Sequence, residues 1–116
     1  MGRTMIEDYS FGRLCLAGKV YASDVIIYPD RVDEGWRRAE GHRLAAEDVR
    51  NPVAAKPEII IVGTGAYGKL EVPDKIQEHL TELGIELKVA KTDRACRLYN
   101  ELAPHRRVVA ALHLTC

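Results

Sequence analysis

In the second half of the chain, apolar runs alternate with amphipathic segments, and this alternation limits the fold more than any other feature. Residues 58–62, 85–90 and 108–114 have the length and composition of strands that are buried on both faces. Residues 73–83 and the segment after Thr92 place apolar side chains on one face at helical spacing. Strand, helix, strand, helix, strand predicts a parallel sheet with right-handed crossovers.

Local signals indicate where the two helices begin and end. Pro73 suits the first turn of a helix, and Gly84 is a typical stop after its last turn. Thr92 has the side chain of an N-cap, with Asp93 favourable in the first turn, and Pro104 ends the second helix. We therefore expect the Thr92 hydroxyl to cap its own helix.

The first half of the chain predicts smaller elements. Two strand-like runs, 13–17 and 19–28, flank Gly18 and indicate an N-terminal hairpin. Residues 44–50 suit a short helix that ends before Asn51-Pro52. We expect an α/β fold, with residues 1–116 forming a three-layer single domain. It would have a βαβαβ core with parallel strands plus the N-terminal β-hairpin.

Composition excludes several classes of protein. The chain has 116 residues, is 47% hydrophobic, and balances 17 basic residues against 17 acidic ones, so neither a nucleic-acid nor a membrane footprint is visible. Its three cysteines are far apart and its four histidines lack metal-ligand spacing, so we expect neither a disulfide framework nor a metal site. Residues 1–10 lack the apolar core of a signal peptide. These features favour a soluble, cytoplasmic protein.

Gly63, Gly65 and Gly68 follow the first apolar strand in the spacing of a dinucleotide-binding turn. That motif needs a helix start at its third glycine and an acidic residue at the end of the next strand. Here residues 69–72 separate Gly68 from the helix, and the second strand ends at Lys91. We therefore expect no cofactor, and an NAD-type oxidoreductase is the least favoured function. The loop is better interpreted as one wall of a ligand cleft.

A set of short motifs, each weak alone, resembles one known family when the motifs are taken in order. They are Tyr9-Ser-Phe11-Gly12, Asp24-Val-Ile-Ile-Tyr28-Pro29, Trp36-Arg37, Glu40-Gly41-His42, Ile61-Val-Gly63-Thr-Gly65, Gly84-Ile85, Thr92-x-x-Ala95, Tyr99-Asn100 and Val109-Ala-Ala-Leu-His-Leu-Thr-Cys116. The family is the Mth-type domain of unknown function, and the resemblance covers nearly the whole chain.

The resemblance implies a three-layer α/β domain with an added hairpin, and it implies no known reaction. Eukaryotic members of the family include the adipogenesis-associated Mth domain-containing protein and a mitochondrial complex I assembly factor. Microbial members are short, uncharacterised single domains. This chain resembles the short microbial form and shows no presequence, so the mitochondrial role does not transfer directly.

Candidate ligand-binding residues come from loops and strand ends. Trp36 and Arg37 lie in a polar segment that either closes over the glycine loop or is simply solvated, with Trp36 against the core. The remaining candidates are Asp30, Gly63, Thr64, Gly65, Thr92, Tyr99 and Asn100. For several of these a structural role is equally natural: Tyr99 suits the core, and Cys96 near it suits a buried structural thiol.

These observations favour a binding, assembly or regulatory module with a cleft beside Gly63–Gly65. No catalytic set of acid, base and nucleophile is recognisable. The alternative is an enzyme for an anionic small molecule, with the glycine-loop amides as anion site and Arg37 as clamp. The expected partner is accordingly a small anionic ligand or another protein, with neither nucleic acid nor membrane. Exposed strand edges leave a homo-oligomer open.

Overall fold

The computed structural model describes residues 5–116, so residues 1–4 of the segment examined for a signal peptide lie outside the described residues. A five-stranded mixed sheet and a separate three-stranded antiparallel sheet form the framework. The elements in chain order are β1 Ile6–Ser10, β2 Arg13–Leu16, β3 Lys19–Tyr21, β4 Val25–Ile27, β5 Val32–Glu34, a 3₁₀ turn Ala46–Val49, α1 Arg50–Ala54, β6 Ile59–Thr64, α2 Asp74–Glu82, β7 Glu86–Ala90, α3 Thr92–Leu102 and β8 Val108–His113.

The larger sheet has the order β5-β4-β8-β6-β7. Strands β6, β7 and β8 run parallel, joined through α2 and α3, which confirms the predicted βαβαβ core. Every residue of β6 and β8 is buried, as their continuous apolar sequences require. Strand β8 is the centre of the sheet, because it pairs with β6 on one side and with β4 on the other.

The two faces of this sheet bury separate apolar clusters, which gives the predicted three layers. On one face, α3 and the small sheet pack over residues such as Ile61 and Leu112. On the other face, α2 and the segment around α1 pack over residues such as Ile60 and Val62. Neighbouring strand residues alternate between the two clusters because successive side chains point to opposite faces.

The N-terminal region is more elaborate than one hairpin. Strands β2 and β3 form the predicted hairpin around Gly18, and β1 adds a third strand to it. The run 19–28 divides before Asp24, so its second part is β4 and joins the larger sheet antiparallel to β8. The predicted single strand is therefore wrong, because the two parts pair in different sheets.

Two local expectations are also wrong. Helix α1 continues through Asn51-Pro52. Pro52 lies in its first turn, where a missing N–H leaves no helical hydrogen bond unmade. The N-cap position of α3 belongs to Lys91, and Thr92 is already helical and makes no cap hydrogen bond. None of the helices in residues 5–116 has the length and apolarity needed to cross a bilayer.

Candidate functional site

The glycine loop after β6 is closed by the chain's own last residues. The Ala66 amide donates to the Thr115 carbonyl oxygen at 2.6 Å, and the Lys69 amide donates to the Cys116 carbonyl oxygen at 3.0 Å. Other amides of the loop are used as well: Gly65 donates to Thr92 Oγ1, Gly68 to the Gly65 oxygen and Leu70 to the Thr64 oxygen. An anion at this loop would have to displace bonds that already exist.

Gly63 and Gly65 are needed because neighbouring groups approach their Cα atoms closely. A Cβ on Gly65 would overlap the Cys116 backbone and lie 2.8 Å from Cδ2 of His113. Gly65 also has a φ of +102°, which side chains rarely adopt. A Cβ on Gly63 would lie 2.8 Å from the Thr92 hydroxyl. The space expected to form a cleft at this loop is thus filled by the protein itself.

Two threonines tie the strand ends together beneath this loop. The Thr92 hydroxyl donates to the His113 carbonyl oxygen at 2.6 Å and accepts from the Gly65 amide at 2.9 Å. The Thr64 hydroxyl donates to the Ala90 carbonyl oxygen at 3.1 Å. Both predicted site residues are therefore engaged in joining the ends of β6, β7 and β8, which explains why Thr92 does not cap α3.

A buried polar cluster lies beside the loop, formed by Asp24, Arg38 and His113. Asp24 immediately precedes β4 and His113 ends β8, and the pairing of Val25 with Leu112 brings the two side chains together. Asp24 Oδ2 lies 2.8 Å from His113 Nδ1 and 3.0 Å from Arg38 Nη2. The exposed fractions of the Asp24, Arg38 and His113 side chains are 16%, 6% and 7%.

The ionisation of Asp24 depends on its burial and on the groups that it contacts in this cluster. Burial of Asp24 opposes ionisation, but the Leu114 amide, His113 and Arg38 outweigh it and lower the pKa of the carboxyl group. Because an ionised carboxylate only accepts, we assign the proton of the 2.8 Å contact to His113 Nδ1. Among the described residues, His113 Nε2 and Arg38 Nη1 are buried without a hydrogen-bond partner. All three side chains are largely shielded from solvent, and their contacts join β4, β8 and the segment that contains Arg38. We call this cluster of Asp24, Arg38 and His113 the latch.

The latch fixes the segment 35–45 above the end of β8. The Arg38 guanidinium lies 4.6 Å from the centre of the Trp36 ring, and the Trp36 indole donates to the Asp48 carbonyl oxygen at 3.1 Å. The Asp48 carboxylate accepts from the amides of Ala39 and Ala45 at 3.1 and 2.7 Å. The indole of Trp36 is thus held at the edge of the core, as one of the two sequence interpretations anticipated.

Trp36 and Arg37 line an open pocket of about 450 Å³ at the edge of the larger sheet. An adjoining pocket of about 310 Å³ contains Asp30, and Asn51 lines both. Arg37, the residue expected to act as an anion clamp, is exposed and lines this edge region. Three of the predicted site residues therefore line two pockets that have Asn51 in common.

Asn100 and Tyr99 serve a different part of the fold. The Asn100 side chain accepts from the Ile6 amide at 2.9 Å and donates to the Ile6 carbonyl oxygen at 2.8 Å, as a neighbouring strand would. Tyr99 is buried in the core. Cys96 is buried in the same cluster, and burial raises the pKa of its thiol to about 12, as expected for a structural thiol.

The nine predicted site residues are thus distributed over three places: the closed loop, the edge groove and the base of β1. Sequence reasoning missed Asp24 and His113 as partners. The available signal was a carboxylate directly before one apolar strand and a histidine at the end of another. The sequence alone does not show that β4 pairs with β8, which is what brings the two side chains together.

Comparison with known proteins identifies relatives over nearly the full length. Residues 6–113 match the family model described as "Protein of unknown function (DUF498/DUF598)". The conserved hypothetical protein PH1505 from Pyrococcus horikoshii OT3 is 27% identical and has a TM-score of 0.83, with coverage of 96% of this chain and 98% of that chain. The structure named MT938 is 30% identical and has a TM-score of 0.82, with coverage of 97% and 99%.

A more distant structure shows the same fold. A Bordetella pertussis protein described as a Mth938-like domain is 19% identical and has a TM-score of 0.67, with coverage of 96% of this chain and 85% of that chain. These matches confirm the resemblance to the Mth-type domain family.

Replacing Asp24 by Asn tests the latch. The substitution leaves Arg38 as a buried charge without its anion, so we expect the free energy of unfolding at pH 7 to fall by about 3 kcal/mol. Asp30→Asn is the control, because that carboxylate is exposed and its loss should change stability by less than about 0.5 kcal/mol. Urea unfolding measures both, and equal effects would contradict the latch.

The difference in the free energy of unfolding between the original protein and Asp24→Asn should depend on pH in a defined direction. Because the folded-state pKa of Asp24 lies below its ordinary value of about 3.9, its ionised form stabilises the fold above that pH. The stabilisation is lost as the pH falls through the folded-state pKa. The difference between the original protein and Asp24→Asn should therefore be full at neutral pH and shrink below about pH 4. A difference that grows on acidification would refute the assignment.

Gly65→Ala tests the closure of the loop by residues 113–116. We expect a loss of more than about 3 kcal/mol in the free energy of unfolding, from backbone strain and overlap with Cys116 together. Gly18→Ala is the matched control, since Gly18 also has positive φ but faces open space, and it should cost only about 1 kcal/mol. Similar losses in thermal or urea unfolding would show that the loop has room.

Proposed function

The chain belongs to the DUF498/DUF598 family of unknown function, and we propose that this member is a protein-binding module that takes an extended partner segment along β5. The observation that carries the proposal is the groove at this edge, here called the β5 groove. The residues that line it include Val32, Glu34, Trp36, Arg37, Glu47 and Asn51. The groove is the location that we propose for the binding role suggested by the family resemblance.

Strand β5 supports the proposal because it ends the sheet and offers backbone groups to a new strand. The Gly35 amide donates to the Asp24 carbonyl oxygen, and the Tyr28 amide donates to the Arg31 carbonyl oxygen. Backbone groups alternate in direction along an antiparallel strand, so those of Val32 and Glu34 point away from β4. An extended segment adding to this edge would gain main-chain hydrogen bonds beside an existing pocket.

The groove also holds residue types that act as binding anchors. Trp36 is 8% exposed and is fixed by its bond to Asp48 and by Arg38, so it offers a partner the rim of a rigid ring that loses little freedom on binding. Arg37 follows it on the exposed side of the pocket. Fixed aromatic rings and arginines are over-represented among residues that dominate binding energy.

Charge favours a basic segment as the occupant. Four carboxylates line the main pocket against the single guanidinium of Arg37. Asp33 and Glu34 have partners in Arg31 and Lys19, whereas Glu47 has no ion-pair partner among the described residues. A lysine or arginine of the partner would supply that missing charge and fix its register.

Binding is favoured over catalysis because the groups that chemistry would need are either buried or already donated within the protein. The Asp24–His113 pair is sealed, and the amides of the glycine loop are donated within the protein. An enzyme for an anionic ligand would require both sets to be released. The cytoplasmic location, and the expectation of neither nucleic acid nor membrane as partner, stay predictions.

A peptide selection tests the proposal without knowledge of the natural partner. We expect a phage-displayed random peptide library to yield strand-forming peptides enriched in lysine and arginine. Glu47→Lys should weaken a selected peptide about tenfold in fluorescence anisotropy, a change of about 1.4 kcal/mol. Glu78→Lys, an exposed change on α2 with the same effect on net charge, is the control and should leave affinity unaltered.

A second variant tests strand addition itself. Val32→Pro removes an outward N–H and leaves the bonds between β4 and β5 in place, so it should abolish peptide binding in a folded protein. Thermal unfolding verifies the fold of each variant. Failure to select any peptide, or equal binding by Glu47→Lys, Val32→Pro and the original protein, would contradict the proposal.

A further inference from the structure

The opposite edge of the larger sheet points to a different partner. Strand β7 is the last strand in the sheet order, and no strand in residues 5–116 pairs with its outer side. At five residues it is longer than β5, which has three. An unpaired edge of this length is a template for another strand unless charge or cover protects it.

The outward backbone groups of β7 can be identified. The Glu86 amide donates to the Glu58 carbonyl oxygen, and the Ala90 carbonyl oxygen accepts from Thr64 Oγ1. The backbone groups of Glu86 and Ala90 therefore face β6. Because backbone groups alternate in direction along a strand, those of Leu87 and Val89 point outward. The Ile85 amide is already donated to Leu80, which leaves the Ile85 oxygen as the next group along this edge.

Exposed aliphatic side chains lie on β7 and at the end of the helix that precedes it. Val89 is 45% exposed and Leu83, at the end of α2, is 49% exposed. Both are large apolar residues left uncovered, while Leu87 between them belongs to the core cluster. An added strand would extend that core towards Val89 and remove apolar area from water.

The charged side chains of β7 are arranged so that they would complement those of a second, antiparallel β7. Glu86 and Lys88 lie on one face and form an ion pair with Oε2 and Nζ 2.9 Å apart. The bond from Lys88 lowers the pKa of Glu86, so the Glu86 carboxylate is charged at neutral pH. A second β7 running antiparallel and centred on Leu87 would place each Glu86 opposite the other copy's Lys88, which forms an alternating square of four charges.

We propose that the β7 edge binds a second copy of this chain, joining two five-stranded sheets into one continuous sheet about a two-fold axis at Leu87. In this register, Leu87 exchanges two bonds with its counterpart, and each Val89 amide donates to the other copy's Ile85 oxygen. A register centred on Lys88 would place like charges opposite each other. One centred on Val89 would pair Lys88 with Ala90 and leave Glu86 without its partner.

The β7 edge takes another copy, and the β5 groove takes a different protein, because β7 offers five residues for pairing and β5 offers only three. The β5 groove also carries excess acid, which would repel a second copy of the same surface. The two sites lie at opposite edges of the sheet, so each can be tested in the absence of the other.

Sedimentation equilibrium of the full chain over a wide concentration range tests the proposal. We expect a concentration-dependent dimer. Glu86→Lys should weaken dimerisation about tenfold, because the introduced lysine then faces Lys88 of the other copy, and Lys88→Glu should do the same. The double variant Glu86→Lys/Lys88→Glu restores complementarity and should dimerise within about threefold of the original protein.

Two controls distinguish a loss of dimerisation from a loss of stability and from a change in net charge. Glu101→Lys, an exposed change on α3, should leave the dimerisation constant unaltered. Thermal unfolding of every variant verifies that the fold is retained. A monomer at the highest concentration would overturn the proposal. A dimer that the single reversals leave unchanged, or one that the double variant fails to restore, would overturn it equally.

Discussion

The carboxylate of Asp24 is the group on which the arrangement of the site depends. One of its oxygens accepts from the Leu114 amide, and the other binds His113 and Arg38, so a single side chain fixes the end of β8 and the segment 35–45. Because the end of β8 is fixed, residues 115 and 116 are directed against the glycine loop. The loop is thus closed directly beside the cluster that Asp24 forms with Arg38 and His113.

This closure changes where function is expected. In open α/β sheets, ligands commonly bind at the carboxyl ends of the parallel strands, and a glycine-rich loop there suggests a phosphate site. Here that end is occupied by Thr92, Arg38 and the chain after β8. The edges of the sheet stay open, and at β5 the fixed Trp36 and an acidic pocket adjoin the open edge.

Local sequence patterns predicted the layered core. They could not predict contacts between residues that are far apart in the sequence. Each element of the βαβαβ unit has its own periodicity, and residues 69–72 already separated Gly68 from α2. The Asp24–His113 contact joins residues 89 positions apart and depends on β4 leaving the hairpin for the larger sheet. The Thr92 prediction failed for a related reason, because two distant backbone groups satisfy its hydroxyl in place of its own helix.

Amide hydrogen exchange followed by NMR tests the central claim, that the glycine loop is closed by the protein itself while the β5 edge is open. The account predicts that the amides of Gly65, Ala66 and Lys69 exchange as slowly as core strand amides. It predicts that those of Val32 and Glu34 exchange quickly. Fast exchange in the loop together with protection at β5 would contradict it and restore the loop as the site for a ligand.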